Sequence, residues 1–314
     1  MTECPACGAS EWTHSLDVAD MYDDISYEVQ RCSGCGCGRT VLDETSWVEL
    51  AARHAVDGRR DASERFAPSV ELGLRMLRRR RARMIVESQR RSGGAILEIG
   101  CGRGELLSEL RDAGHRVAGT ELSPEIARAA LAKGLEVETA PLTPERFPAA
   151  SFETVVLWHV IEHVVEPLNL LQMCSRWLVE GGAVVVAAPN IDSWQARWSR
   201  ERWLHLDVPR HRWHFSIDSL SRLAQRTGFR VESVQGFSLE YGPFGWVETV
   251  AHRALGDHTL FTRLLRTPRA HDALRLLPWG ALLAGVGVVS PALEALASAC
   301  RAGGAPVMVW RKSS

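Results

Sequence analysis

The run Ile96-Leu97-Glu98-Ile99-Gly100-Cys101-Gly102-Arg103-Gly104 constrains this chain more than any other stretch. An apolar strand pattern leads straight into Gly-x-Gly-x-Gly, and Glu105-Leu106-Leu107 then opens a helical pattern. Glycines at this spacing let the backbone approach a ligand closely and leave the amides of the following helix free. A glycine loop alone is a weak signal. It gains weight because the next apolar run ends in Glu121, 17 residues after Gly104. A carboxylate at that strand end can accept both hydroxyls of a ribose. The spacing therefore fits a nucleoside ligand. A dinucleotide loop would read Gly-x-Gly-x-x-Gly; this one is shorter and is preceded by Glu98. A carboxylate there is unfavourable beside a pyrophosphate and favourable beside a cation.

Around the loop, short apolar runs alternate with helical segments. The pattern predicts strands over 95–101, 117–122, 136–140, 152–160, 183–189 and 229–234, with a last edge strand over 305–310. Helices are expected over 104–113, 124–133, 167–178 and 217–227. Alternation of this length argues an α/β fold with a doubly wound parallel sheet. Right-handed crossovers then place ligands at the carboxyl ends of the strands. Composition agrees: 46% apolar and 24% charged residues exclude a disordered, collagen-like or polytopic membrane chain. Lys and Arg number 37 against 38 Asp and Glu, so no global attraction to nucleic acid or anionic lipid follows. One local exception is a run of arginines at 75, 78, 79, 80, 81, 83, 90 and 91. It reads as the solvated face of a helix within 46–92, with phosphate contact as the alternative.

Five of the eight cysteines fall in the first 37 residues. Cys4-Pro-Ala-Cys7-Gly8 and Cys32-Ser-Gly-Cys35-Gly36 are two C-x-x-C turns with 24 residues between them. Two such turns complete a tetrahedral four-thiolate zinc site, and segment 8–31 is expected to form a hairpin between them. Four protein ligands leave no open position, so Zn2+ held by Cys4, Cys7, Cys32 and Cys35 would be structural; Cys37 is spare and competes with Cys35 as fourth ligand. The N-terminus shows no basic stretch followed by an apolar run, so a cytoplasmic, reducing location is expected. The chain thus divides into a zinc module (1–45), a linking helical segment (46–92), a core (93–240) and an apolar helical insertion with the last strand (241–314). Residues 276–293 carry no charge. Pro278, Gly280, Gly285, Gly287 and Pro291 argue against one straight spanning helix there. A buried helical pair or an interfacial hairpin with peripheral membrane contact is expected instead.

The sequence Leu-Glu-Ile-Gly-Cys-Gly-Arg-Gly at 97–104 resembles the first motif of class I S-adenosylmethionine-dependent methyltransferases. Phe-Glu-Thr-Val-Val-Leu-Trp-His-Val-Ile-Glu-His-Val at 152–164 is similar to the fourth-strand motif of their type 23 subgroup, with Glu153 where Asp is usual. The resemblance covers 95–238 and extends to 305–312. It implies a Rossmann-like sheet, S-adenosylmethionine as cofactor, and cofactor contacts from Glu98, Gly100, Cys101, Gly102, Gly104, Glu121, Leu122, Trp158 and His159. The loop Asp207-Val-Pro209-Arg210-His211-Arg-Trp-His214-Phe215 looks like a Pro-Arg-His…His-Phe loop of the same subgroup. In similar sugar C-methyltransferases, which also carry an N-terminal four-cysteine zinc module, a histidine matching His211 is the expected proton-transfer residue. Those enzymes have Glu where this chain has Arg210. The catalytic candidates are therefore His211, His159 and His214, while His163 has a packing role as its alternative. Trp194, Trp198 and Trp203 at spacings of 4 and 5 suggest one aromatic helix face, either core or a wall over the substrate, with Asn190 near the rim. The implied activity is methyl transfer to carbon or oxygen of a small-molecule acceptor such as a sugar or polyketide. A base of rRNA or tRNA and a lipid-linked acceptor are the alternatives; the missing Asn/Asp-Pro-Pro-Tyr loop after the fourth strand weighs against amino groups of bases.

Overall fold

A computed structural model describes residues 3–20, 25–43, 46, 47, 50, 68–90, 93–239, 241–255 and 277–313. Its strands are β1 (Trp12–Ala19), β2 (Ser26–Cys32), β3 (Gly38–Thr40), β4 (Ile96–Ile99), β5 (Val117–Thr120), β6 (Val137–Glu138), β7 (Phe152–Trp158), β8 (Leu178–Ala187), β9 (Trp213–His214), β10 (Phe229–Gln235) and β11 (Val307–Lys312). The helices are α1 (Pro68–Glu87), α2 (Glu105–Asp112), α3 (Pro124–Leu131), α4 (Pro167–Trp177), α5 (Trp194–Ser199), α6 (Ile217–Arg226), α7 (Gly242–Leu255) and α8 (Gly280–Ala299).

Seven strands form one sheet in the order β10-β11-β8-β7-β4-β5-β6. All run parallel except β11, which is antiparallel to both neighbours. Strands β4 and β7 are near-continuous apolar runs because helices cover both faces of the sheet, and all four residues of β4 are buried. Helix starts are written locally. Ser123 caps α3 ahead of Pro124, and Ser216 and Ser219 form a reciprocal capping box on α6. The doubly wound expectation agrees with this topology. The edge-strand expectation for 305–310 does not: β11 lies inside the sheet, and β10 is the edge. Val307, Met308, Val309 and Trp310 are all buried, which suits a strand paired on both sides.

The smaller sheet has the order β1-β2-β3-β9 and is antiparallel. The hairpin over 8–31 is present as β1 and β2. The fourth strand, β9, comes from far along the chain and pairs Gly38 with His214 and Arg39 with Trp213. Glycine is needed at 38, since a Cβ there would lie 2.8 Å from that of His214. Three further ties cross the expected boundary at residue 45. Arg226 donates to the carbonyls of Cys4 (3.0 Å) and Pro5 (2.8 Å), Arg31 pairs with Asp192 at 2.7 Å, and Arg210 pairs with Asp20 at 3.1 Å.

Residues 276–293 were expected as a helical pair or hairpin; from 277 the structure instead has a short 3-10 turn and then the single helix α8, with Pro291 inside it. Leu276 lies outside the described residues. The helix is fixed at its inner face by Glu294, which is fully buried. The Glu294 carboxylate accepts from Gln195 Nε2 (3.0 Å), Trp246 Nε1 (3.1 Å) and the Gly304 amide (2.7 Å). The outer face is apolar and exposed, with Val288 at 81%. By length and composition alone, Leu277–Ala299 could cross a membrane, though only 22% of its most apolar window is buried.

The arginine run on α1 divides among several partners. Arg78 pairs with Glu71, Arg79 with Glu109 at 3.2 Å, and Arg90 with Glu232 at 3.8 Å. Arg81 lies over the Trp158 ring at 4.0 Å. Arg91 and most of 46–67 fall outside the described residues. The single aromatic face is not formed either: α5 ends at Ser199, Arg200 turns to φ 53, Trp203 is buried and Trp198 is 46% exposed beside Trp246.

Candidate functional site

The glycine loop and the end of β5 meet at the carboxyl side of the sheet. Gly100, Gly102 and Gly104 adopt φ of 68°, 55° and 70°. At Gly104, the N-cap of α2, an added Cβ would stand 2.4 Å from Leu135 and 2.8 Å from Ala130. At Gly102 the same atom would meet open space. The Glu121 carboxylate accepts from the amides of Gly102 (3.1 Å) and Ser123 (2.9 Å), so it joins the loop to the turn after β5. Leu122 beside it is 64% exposed. Glu98 is buried, and its Oε2 has no hydrogen-bond partner. Burial pushes the Glu98 carboxyl up to about 8, with Arg81 pulling the other way and Glu121 adding to the rise. Burial likewise pushes the Cys101 thiol up to about 12, which makes it a packing group. Trp158 ends β7 with its indole N–H buried and unpartnered. An orphaned carboxylate oxygen beside an open glycine loop fits a ligand that carries both a cation and a nucleoside, which is the donor and charge pattern of S-adenosylmethionine.

Immediately after β7 the chain turns sharply at His159, φ 52, a left-handed conformation unusual for a residue with a Cβ. Its Nδ1 lies 3.1 Å from Glu162 Oε1, and its ring lies 4.2 Å from that of Tyr241. Burial alone would raise the Glu162 carboxyl, but the hydrogen bond and charge of His159, with His163 and His211 behind it, hold it at about 2. An ionised Glu162 only accepts, so Nδ1 carries the proton and the unpartnered Nε2 is left as a base.

The other histidines are occupied differently. His163 faces away from His159: its Nδ1 donates to the Arg210 carbonyl at 3.0 Å, and its ring lies 4.6 Å from that of His211. His211 donates from Nδ1 to the His205 carbonyl at 2.9 Å, with Nε2 3.8 Å from Asp207. Burial, with His163 beside it, pushes His211 down to about 4 and keeps the ring neutral at physiological pH. His214 is buried against Thr40 Oγ1 at 3.0 Å; that hydroxyl donates to the His211 carbonyl at 2.6 Å, so His214 Nε2 must donate to it. Arg210 bonds Asp207 at 2.6 Å as well as Asp20. Asn190, expected near the rim, is buried, and its amide bonds the Gly303 carbonyl at 3.0 Å, so it serves as a joint within the core. Residue-pattern reasoning did not single out Arg81, Tyr241 or Thr40. Only the His-x-x-Glu spacing at 159–162 offered a signal for the His159–Glu162 pair.

In the head, Cys4 and Cys35 sulfurs lie 3.5 Å apart, as do those of Cys7 and Cys32, and all four fall within 4.8 Å of one another. Tetrahedral zinc with bonds of about 2.3 Å sets its sulfurs about 3.8 Å apart, so the group fits the ion. Cys37 stands outside it, its thiol 3.6 Å from the Gly38 carbonyl. A cavity of about 220 Å³ opens between the end of β1, the 3-10 turns at 200–206 and α7, lined by Asp20, Trp203, Asp207, Glu248 and Thr249 among others.

Comparison with known proteins adds a family. Residues 71–234 match the type 23 methyltransferase-domain family. A ubiquinone biosynthesis O-methyltransferase of Nitrosococcus oceani is 34% identical over 106 residues, which are 32% of this chain and 45% of that protein. One of Cereibacter sphaeroides is 27% identical over 187 residues, 56% of this chain and 75% of that protein. The chain thus spans under half the length of the first of these relatives. Among solved structures, the 1,6-didemethyltoxoflavin-N1-methyltransferase of Burkholderia thailandensis, with its acceptor and S-adenosylhomocysteine bound, matches with a TM-score of 0.51. It is 14% identical, and the match covers 95% of this chain and 100% of that one.

Proposed function

Because the chain belongs to the methyltransferase-domain family, we propose that it transfers a methyl group from S-adenosylmethionine to a small-molecule acceptor. The observation that carries this reading is the Glu121 carboxylate gripping the Gly102 amide beside the buried, unpartnered Glu98. Glu121 would hold the ribose, Gly100 to Gly104 the amino-acid portion, and Glu98 the ammonium group. Leu122, Trp158 and His159 stand at the other strand ends in position to flank the cofactor. When bound, the cofactor supplies an electrophilic methyl on a sulfonium centre. The protein's part is to orient an acceptor in line with that methyl and to take its proton. His159 is the residue placed for the second task, since its Nε2 is free and Glu162 fixes its tautomer. The acceptor would be a sugar, polyketide or similar metabolite, methylated at oxygen or carbon, and the cavity beside Asp207 is where it would enter. The small-molecule reading is supported by the relatives' names and by the division of the α1 arginines among protein partners. A structural zinc on Cys4, Cys7, Cys32 and Cys35 would hold the two turns of the head together. Calorimetry with S-adenosylhomocysteine tests the core reading: the parent binds and Glu121→Ala does not. No binding by the parent refutes it.

A second reading concerns where the acceptor is met. The outer face of α8 exposes Leu277, Leu282, Val288, Val289 and Leu296, and the sequence before it carries Arg263, Arg266, Arg269 and Arg275. Apolar surface with basic flanks suits an anionic bilayer and a lipid-linked acceptor. Flotation with vesicles containing phosphatidylserine, lost on Val288→Asp, tests this; no flotation of the parent refutes it.

A further inference from the structure

We propose that Glu162, His163 and His211 form a binding site for a divalent first-row cation, separate from the four-cysteine head. One donor atom from each lies within 4.8 Å of the others. The two imidazoles are prepared for this in the same way. His163 donates its Nδ1 proton to the Arg210 carbonyl (3.0 Å), and His211 donates its own to the His205 carbonyl (2.9 Å). A carbonyl can only accept, so each Nδ1 carries the hydrogen and each Nε2 presents a lone pair. A backbone carbonyl on the far nitrogen is the usual support of a metal-binding histidine, because it fixes both tautomer and ring plane. Glu162 supplies the negative charge. Its Oε1 is taken by His159, while its Oε2 is buried with no partner in the structure. Asp207 Oδ2 lies 3.8 Å from His211 Nε2 and provides a second carboxylate at the margin.

Ligand atoms around such an ion sit about 3 Å apart at bonds of about 2.1 Å, so the cluster must close slightly. His163, the exposed member, can move to do so. Two imidazoles and a carboxylate select zinc, manganese, iron(II) or cobalt over the hard alkaline-earth ions, and the absence of thiolate separates this site from the head. Three protein ligands leave positions open for oxygen atoms of a ligand. If the acceptor lies beside His159, as the proposed function has it, those positions would take an acceptor hydroxyl, and the Glu162 carboxylate would join cation and base. That role rests on the proposed function; the site itself does not.

The test is a manganese titration of zinc-loaded protein, followed by the loss of the free-ion electron paramagnetic resonance signal. One Mn2+ per chain should bind beyond the zinc, and His163→Ala should weaken it by more than about tenfold. Glu162→Gln should do the same. His163 is exposed, so its variant should fold even where the Glu162 variant does not. Failure of the parent to bind Mn2+, or binding unchanged in His163→Ala, overturns the proposal. Mn2+ binding in a protein that ignores S-adenosylhomocysteine would leave the cation site standing and remove the methyl-transfer reading instead.

Discussion

Glu98→Gln should make the free protein more stable while weakening its hold on the cofactor. In the unfolded chain this carboxyl titrates near its ordinary 4.5, whereas burial raises it to about 8 in the folded state. Between those values the folded protein must keep a proton that the unfolded chain has released, so stability falls as pH rises. The cost is about 1 kcal/mol at pH 5, about 3 kcal/mol at pH 7, and about 5 kcal/mol once the folded-state group ionises above pH 8. A glutamine cannot ionise and escapes this cost. Melting curves at pH 5, 7 and 8.5 without ligand should therefore nearly coincide at pH 5. At pH 7 the variant should melt about 6–10 °C higher. Affinity should move the opposite way. Pairing with an ammonium group requires an ionised Glu98, and its loss should weaken S-adenosylhomocysteine by about tenfold or more. The parent should also release close to one proton on binding at pH 7, read as a dependence of the calorimetric enthalpy on buffer ionisation; the variant should not. A stability gap that is absent at pH 8.5, or equally large at pH 5, would refute the account of Glu98 as a buried neutral acid awaiting a cation.

Gly104→Ala places a Cβ at φ 70 against Leu135 and Ala130, and should cost about 2 kcal/mol or more by denaturant unfolding together with loss of cofactor binding. His159→Gln should lower kcat by about 10²- to 10⁴-fold while leaving S-adenosylhomocysteine affinity within a few-fold, because it removes the free Nε2 and not the glycine loop. Cys32→Ser should reduce zinc from one ion per chain to none by metal analysis and lower the melting temperature.

The parts legible in the sequence were those written locally. The glycine loop, Glu121 and the alternation from 95 to 235 specify a parallel sheet and its ligand-facing end without reference to anything distant. The two C-x-x-C turns likewise announce themselves. What stayed hidden depends on residues far apart in the chain. Thr40 is unremarkable until β3 pairs with β9 and its hydroxyl meets His211 and His214. Arg81 looks like one more solvated arginine until α1 packs so that its guanidinium covers Trp158. The placement of β11 between β10 and β8 was equally out of reach, since an apolar run does not say how many neighbours it has. For α8 the breakers misled: Pro291 and the glycines are tolerated within one helix that Glu294 anchors from its inner side.

The strand that Trp213 and His214 lend to the head sheet has a consequence for how this molecule comes apart. A metal-held head on a tether would melt on its own, ahead of its catalytic neighbour. Here the backbone amides of β3 are protected by residues that also form the histidine loop, so neither can open while the other stays closed. Chelating the ion should raise amide exchange in β3 and across 205–216 together, as one cooperative unit.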